Sequence, residues 1–460
     1  MKTPDLGIRS DKTVGKRIAA NTGLLVGARG LGVVLGLATL LITAKALDNQ
    51  VSFGTIIFLH GYMLFFAEVA TFQSWQSIIR FGSDDVHNED PKRLAGLVKF
   101  GIKIDVLSAI LAYAGAIILF ELYALIVAAY PTLAPQGSGF DVETLKPLVI
   151  AYSTVVLFQI TGTPIGILRL FDKFNGLAFA GIVMPGIRLL GAIFAYFMGW
   201  GMIGFLSVWY VASVSGYVFK VALGFVELLK RRLAGSVLKA EDGFFRARPG
   251  LWSFVWKSNI DSTLAAGVNQ LPILLVGATF GPAFVAIYKW AEEIAKLLSE
   301  GVKLLDQVIY PELARIVSGG EGRRILRLVT RASLVSLAVG MFLAGIVAVF
   351  GPFIIEGTLG AEYGGVVPLA VVLVIGAALF AAVAPLFPVF YAANRPEKAI
   401  YARALGLIVY VITFFIFTQY FGEIGSALAV VAGYFVGMIL VVILTRQVLK
   451  GLEDRDVQTD

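Results

Sequence analysis

Charged side chains recur at helical spacing within an apolar stretch of the sequence around residue 290. In steps of three and four, the series runs Lys289, Glu293, Lys296, Glu300, Lys303 and Gln307. Residues at this spacing share one face of an α-helix, where opposite charges can pair along the helix. A complete charged face against lipid would be too costly. The pattern therefore predicts a helix face that lines a wet cavity, or one that satisfies its own charges at a helix interface.

Two arginines, Arg29 and Arg188, lie near the middle of other apolar stretches, with no acidic residue three or four positions away. Cations inside a membrane usually face a cavity or a partner. The planar guanidinium keeps its charge and can donate two parallel hydrogen bonds to a phosphate group. We expect both arginines to contact a phosphate-bearing substrate. The alternative is a salt bridge between helices, with Glu68 or Asp261 as the partner.

A second group of ionisable residues could carry a coupling ion. His60 and Glu68 fall on one side of their predicted helix, and Glu292 and Glu293 belong to the charged stretch described above. Carboxylates inside membrane spans often belong to ion or proton pathways. These four residues are the candidates for coupling to a proton or sodium ion, and no other cofactor is expected. For Glu68, a static bridge to Arg29 is an equally good interpretation.

Polar residues also interrupt the apolar stretch that begins near residue 251. Lys257 and Asp261 stand four positions apart and can form an ion pair, and Asn269 and Gln270 come just before Pro272. Because proline frees a backbone carbonyl of its helix, the amides can serve a substrate or the helix itself. The predicted substrate cavity thus contains Arg29, Arg188, Lys257, Asp261, Asn269, Gln270, Lys289 and Lys296.

The composition indicates which elements must hold these residues. Of the 460 residues, 58% are hydrophobic and 15% charged, and the mean hydropathy is +0.83, whereas soluble domains carry about 25% charge. These values exclude a soluble protein. Since about 20 helical residues cross the hydrocarbon core, the chain has room for about a dozen spans and for no separate catalytic domain. With no cysteine and two histidines, a transition-metal site is not expected.

Twelve membrane spans are predicted from the apolar segments. They cover 20–46, 53–79, 100–129, 146–169, 175–198, 201–229, 251–280, 282–311, 326–350, 364–391, 398–420 and 424–449. Basic residues concentrate in the N-terminal tail and in every second connection, whereas the alternate connections hold none. Because Lys and Arg resist translocation, we expect a multi-pass protein of a bacterial cytoplasmic (inner) membrane with both termini in the cytoplasm. The net charge of +7 fits such loops and gives no reason to expect nucleic acid as a partner.

An internal repeat is suggested by the connection 230–250, which separates two sets of six spans. Leu40 to Phe58 overlies Ile273 to Ala291, each with an apolar helix, a tight outer turn and a second helix. Thr161 to Asn175 and Val383 to Ala399 share a looser pattern of proline, aliphatic residues and a short basic turn. Such repeats are typical of transporters. The predicted organisation is an N-terminal lobe 1–229, a cytoplasmic linker loop 230–250 and a C-terminal lobe 251–460.

The chain resembles the multidrug/oligosaccharidyl-lipid/polysaccharide exporter superfamily. The shared features are two sets of six spans, tight turns after spans one and seven, and prolines in spans four and ten. Within this superfamily, the chain is most similar to the bacterial polysaccharide repeat-unit (O-antigen and exopolysaccharide) flippases. The resemblance implies an all-α integral membrane fold of two six-helix lobes around a central cavity, lined mainly by spans one, two, seven and eight. It also implies an undecaprenyl-diphosphate-linked oligosaccharide as substrate, flipped from the inner to the outer leaflet.

The predicted function is therefore flipping of a lipid-linked oligosaccharide for polysaccharide biosynthesis, by a monomer that works with the polysaccharide assembly machinery. The alternative is a multidrug-type cation antiporter of the same fold. An antiporter for organic cations needs unpaired carboxylates in its cavity, whereas a diphosphate flippase needs unpaired cations. The numbers of basic and acidic residues inside the predicted spans are similar, so they do not distinguish the two functions. An enzyme is not expected, because the sequence has no large outer loop for catalytic groups. A scaffold without transport would not need charged stripes inside its spans.

Overall fold

The computed structural model describes residues 14–130, 142–240, 248–297, 322–392 and 395–459. Every regular element in these ranges is a helix, as the sequence predicts. Eleven helical segments of the described chain are long and apolar enough to cross a membrane. The predicted eighth span is described only as far as Leu297, so Glu300, Lys303 and Gln307 lie outside the described residues.

The chain forms two compact units, Met1–Gln270 and Leu271–Asp460. The helices of the first unit are α1 (Val14–Leu47), α2 (Gln50–Val69), α3 (Ser74–His87), α4 (Pro91–Ala129), α5 (Val142–Ser153), α6 (Gly162–Leu170), α7 (Phe174–Phe197), α8 (Met202–Lys230), α9 (Ala234–Lys239) and the first part of α10 (Leu251–Phe280). The predicted lobes follow the sequence repeat, whereas this division follows packing and assigns both 230–250 and the first part of α10 to the first unit. The predicted lobe boundaries stay a prediction.

The second unit continues with helix α11 at 282–297. It then holds α12 (Gly322–Leu359), α13 (Val366–Val383), α14 (Phe387–Ala392), α15 (Pro396–Phe421) and α16 (Glu423–Thr459). Helices α15 and α16 cross closely at Gly406 and Gly433, where an added Cβ on Gly433 would lie 2.8 Å from the carbonyl oxygen of Gly406. Only glycine permits that approach.

Short turns link the helix pairs that the repeat matches. The Asn49 side chain accepts a hydrogen bond from the Val51 N–H at 2.8 Å and so caps α2. At the equivalent place, Gly281 has a φ of +82° and joins α10 to α11. The structure thus confirms the tight turns predicted after spans one and seven.

Spans two and four are each broken into two helices, although the sequence predicts each as one segment. The second span is interrupted between α2 and α3, where Gln73 has a φ of +50°. Polar side chains of α10 satisfy the carbonyls at this break: Asn259 donates to the oxygens of Val69 and Thr71 at 3.1 and 3.2 Å. Backbone away from helical geometry is tolerated inside a membrane protein only where such partners exist.

The segment predicted as a linker loop is partly folded onto the first unit. Leu233 and Val237 of the α9 region are buried in a hydrophobic cluster with residues of α3, α4, α6 and α10. The Lys99 Nζ of α4 donates to the carbonyl oxygens of Leu238 and Ala240 at 3.2 and 2.7 Å. The basic connections of the first unit meet around this cluster, and we call this end of the unit the basic end.

Candidate functional site

A polar cluster lies among the spans of the first unit, around the guanidinium of Arg188. We call it the Arg188 cluster; its members are His60 of α2, Tyr152 of α5, Arg188 of α7, and Trp209 and Ser213 of α8. Tyr152, Trp209 and Ser213 are buried, and Arg188 and His60 are half-buried. Four apolar helices therefore hold one cation and its polar neighbours inside the unit.

The contacts of Arg188 are with neutral groups. Its Nη2 donates to the Ser213 Oγ at 3.1 Å and lies 3.5 Å from the His60 Nε2. Its guanidinium carbon lies 4.4 Å from the centre of the Trp209 ring, a cation–π contact. Among the described residues, no ion pair to Arg188 is found. An arginine that is held in place without a nearby anion can bind an anionic group of a substrate.

Hydrogen-bonding capacity is left over in this cluster. Within the described part of the chain, the Arg188 Nε and the Trp209 Nε1 are both buried and have no hydrogen-bond partner. Buried donors are normally paired, and each unpaired one costs about 1–3 kcal/mol. One unpaired donor on the guanidinium and one on the neighbouring indole are therefore suited to an acceptor that is not part of the protein.

His60 connects Arg188 to Tyr152. Its Nδ1 lies 2.9 Å from the Tyr152 hydroxyl, and its ring packs edge-on against Trp209 with the centroids 5.0 Å apart. This geometry places the His60 ring between Arg188 and Tyr152, and the ion-coupling role predicted for His60 remains a prediction.

The other residues predicted in the first unit lie elsewhere. Arg29 is exposed on α1 and lines a cavity between α1 and α7. Glu68 is half-buried at the end of α2, where its carbonyl accepts a hydrogen bond from the Ser262 hydroxyl at 3.2 Å. Lys257 is exposed on α10, and the side chain of its predicted partner Asp261 lies outside the described residues.

The amide pair predicted in span seven falls at the boundary between the two units. Asn269 is exposed and Gln270, the last residue of the first unit, is half-buried. Pro272 lies inside the continuous helix α10. The structure does not test the substrate role predicted for either amide.

The charged series of the predicted eighth span forms a closed network in the second unit. Lys289 Nζ lies 3.0 Å from Glu292 and 2.6 Å from Glu293, and Lys296 Nζ lies 2.8 and 3.6 Å from the same carboxylates. Two cations and two anions thus compensate one another on α11. In the described part of the series the charges pair with one another, which is one of the two alternatives that the spacing allows. Glu292 is the most deeply buried of the four charged residues.

Two groups of residues were not singled out from the sequence. Trp209, Ser213 and Tyr217 stand four apart on α8, and Lys220 follows three residues later on the same helix face. This polar stripe is a signal that could have pointed to the cluster. Tyr152 gives no comparable signal, because only the fold brings it to His60.

A buried carboxylate, Asp105 of α4, joins the two broken spans. It accepts hydrogen bonds from the Ser74 Oγ at 2.5 Å and the Thr163 N–H at 2.7 Å. Ser74 begins α3 and Thr163 lies in the first turn of α6. A negative charge is stabilised at helix N-termini, so Asp105 fastens both half-helices to α4.

Comparison with known proteins places this geometry in context. A family model described as "Polysaccharide biosynthesis protein" matches residues 102–368. Among curated proteins, the chain is 26% identical over 348 residues to "Inner membrane protein YghQ" of Escherichia coli (strain K12), which covers 76% of this chain and 94% of that protein.

Solved structures of low identity share the fold. An inward-facing multidrug resistance MATE family transporter of the MOP superfamily aligns with a TM-score of 0.69 at 15% identity, over 92% of this chain and 96% of that chain. The lipid II flippase MurJ in an inward closed conformation aligns with a TM-score of 0.66 at 15% identity, over 94% and 90%. The fold is thus the two-lobe, all-helical fold of these transporters, as the sequence predicts.

Proposed function

Since the chain belongs to the polysaccharide biosynthesis protein family, we propose that it flips a diphosphate-linked lipid oligosaccharide from the inner to the outer leaflet of a bacterial inner membrane. The Arg188 cluster is the observation that carries the proposal. It holds a cation among membrane-spanning helices with neutral neighbours and two spare donors. A diphosphate supplies the acceptors and the negative charge that these groups lack.

The same observation favours the flippase over a cation antiporter. An organic cation would be repelled by Arg188, which keeps its charge at any physiological pH. The likeness to a multidrug transporter rests on 15% identity and concerns the fold. The substrate class is therefore proposed from the site, with undecaprenyl diphosphate as the lipid part and O-antigen or exopolysaccharide repeat units as the sugar.

We assign ion coupling, if transport is driven, to the α11 network. Glu292 lies between two lysines at 3.0 and 2.8 Å, and a proton or sodium ion that binds there competes with them for the carboxylate. Such an exchange changes the charge balance of a buried network and can be linked to a movement of α11. Glu68 remains the corresponding candidate in the first unit. We also propose a monomer with both termini in the cytoplasm, operating beside the polysaccharide assembly machinery.

Flipping in reconstituted vesicles tests the proposal. A labelled undecaprenyl-diphosphate oligosaccharide is incorporated, and its accessibility to an impermeant reagent is followed with time. We expect flipping by the native chain, a loss of at least about tenfold in Arg188→Gln, and partial activity in Arg188→Lys. Arg169→Gln is the matched control, since Arg169 is a half-buried arginine stacked on Trp75 in the same unit. Equal flipping by Arg188→Gln and the native chain would refute the role of the cluster.

A further inference from the structure

Two cavities form one groove along α1 and α7 of the first unit. The larger has a volume of about 710 Å³ and lies at the basic end, where Asn21, Lys173 and Lys230 line it. The smaller, about 370 Å³, is lined by Arg29 and Gly181. Leu25 lines both, so the cavities adjoin. We call the pair the α1–α7 groove.

The groove runs from the basic end toward the middle of the first span. Asn21, Leu25 and Arg29 follow one another at four-residue steps on α1. At a rise of 1.5 Å per residue, Arg29 lies about 12 Å from Asn21 along the helix axis. A headgroup at the wide mouth therefore has a route past Leu25 to a cation deeper in the membrane.

Charge at the mouth is arranged to receive both phosphate and saccharide. The buried carboxylate of Glu227 is compensated chiefly by Arg231, whose Nε lies 2.7 Å from the Glu227 Oε1. The Lys173 Nζ lies farther from that oxygen, at 3.6 Å, and Lys173 is exposed and lines the cavity. Lys230 is exposed and lines the same cavity, as does the exposed carboxylate of Asp172. Ammonium groups suit phosphate, and exposed carboxylate and amide groups suit sugar hydroxyls.

The deeper cavity combines an apolar wall with open space. Helices α1 and α7 touch where a Cβ on Gly32 would lie 3.8 Å from the Pro185 Cγ. One turn away, a Cβ on Gly181 would have no atom within 4 Å. Gly32 at the contact between the two helices and Gly181 both line the deeper cavity, together with Arg29.

We propose that the α1–α7 groove is the loading site at which the diphosphate-sugar headgroup of a lipid leaves the leaflet at the basic end. Lys230 and Lys173 receive the diphosphate, Asn175 and Asp172 contact the sugar, and Arg29 takes the diphosphate at the next step. This assignment rests on the proposed flippase function and adds the route by which the substrate arrives.

Cysteine protection tests loading, because the native chain contains no cysteine. Asn175→Cys places a thiol in the mouth, and Ser83→Cys places one on an exposed surface of the same end, outside both cavities. The purified chain in detergent is treated with a maleimide, with the undecaprenyl-diphosphate oligosaccharide of the flipping assay as the probe. We expect the lipid to slow labelling of Asn175→Cys at least about tenfold, to leave Ser83→Cys unchanged, and to protect about tenfold less well after Lys230→Gln.

A plug in the deeper cavity tests passage. Gly181→Phe adds a ring to the wall of the deeper cavity, at a position where a Cβ meets no atom within 4 Å. Gly186→Phe is the control, because a Cβ at Gly186 also meets no atom within 4 Å but Gly186 lines neither cavity. We expect Gly181→Phe to keep the protection of Asn175→Cys and to lower flipping at least about tenfold, with no change in Gly186→Phe.

The outcomes separate this inference from the proposed function. Flipping by the native chain without protection of Asn175→Cys overturns the groove and leaves the flippase standing. Protection without flipping by the native chain refutes the flippase. Equal protection by phosphatidylglycerol, or by inorganic diphosphate, shows a general phospholipid or phosphate site and overturns substrate loading.

Discussion

Replacing Arg248 by alanine should destabilise the basic end of the first unit. Asp85, only 2% exposed, accepts two hydrogen bonds from the Arg248 guanidinium at 3.0 and 2.6 Å. The guanidinium also donates to the carbonyl oxygens of Phe81 and Arg93. These bonds fasten the chain just before α10 to the end of α3 and the start of α4.

The size of the effect follows from the burial of the two charges. Removing one partner of a buried ion pair costs about 3–5 kcal/mol, because the other charge stays buried and uncompensated. Arg248 is 20% exposed, and Arg93 lies 3.8 Å from the same carboxylate. Both features reduce the penalty, so we expect a loss of about 3 kcal/mol in the free energy of unfolding.

Unfolding in detergent measures this loss, and two variants serve as controls. Arg93→Ala removes a 62% exposed partner at 3.8 Å and should cost less than about 1 kcal/mol. Asp85→Asn combined with Arg248→Gln removes both charges and should be more stable than Arg248→Ala alone, because no charge stays buried without a partner. If Arg248→Ala and Arg93→Ala lower the midpoint of unfolding equally, the assignment of this pair as a buried anchor is wrong.

Three further predictions follow from the same first unit. Asn259→Ala should lower the unfolding midpoint by removing two donors to the carbonyls at the break in span two, and Asn259→Asp should lower it more, because a carboxylate repels those carbonyls. Asp105→Asn should cost about 1–3 kcal/mol in the free energy of unfolding, since the amide cannot accept from both the hydroxyl and the Thr163 N–H as the carboxylate does. An impermeant thiol reagent should label Asn49→Cys but not Ser236→Cys from the periplasmic side; labelling of Ser236→Cys would reverse the proposed orientation.

The sequence is informative where local chemistry decides the structure. The apolar lengths predict the spans, and the matched turns at Asn49 and Gly281 are visible because capping and glycine residues have local signatures. The spacing of Lys289 and Glu293 also predicts their contact, since pairs four apart on a helix are neighbours whatever surrounds them.

Tertiary packing decides what the sequence does not predict. The break in span two occurs at Ala70 to Gln73, without proline or glycine, and depends on Asn259 from a distant helix. The contact between Arg188 and His60 needs two spans far apart in the chain to pack together. Likewise, the sequence predicts 230–250 as a polar loop, whereas its residues Leu233 and Val237 are buried against other helices of the first unit.

Binding of undecaprenyl diphosphate to the purified chain is the most direct test of the Arg188 cluster as a diphosphate site. The dissociation constant is measured in detergent for the native chain, Arg188→Gln and the control Arg169→Gln, with undecaprenol as the ligand without phosphate. Each hydrogen bond to a charged group is worth about 1.5–3 kcal/mol, so Arg188→Gln should weaken binding of the diphosphate about 10- to 100-fold and leave undecaprenol unchanged. Equal affinity of the native chain and Arg188→Gln for undecaprenyl diphosphate would contradict the account.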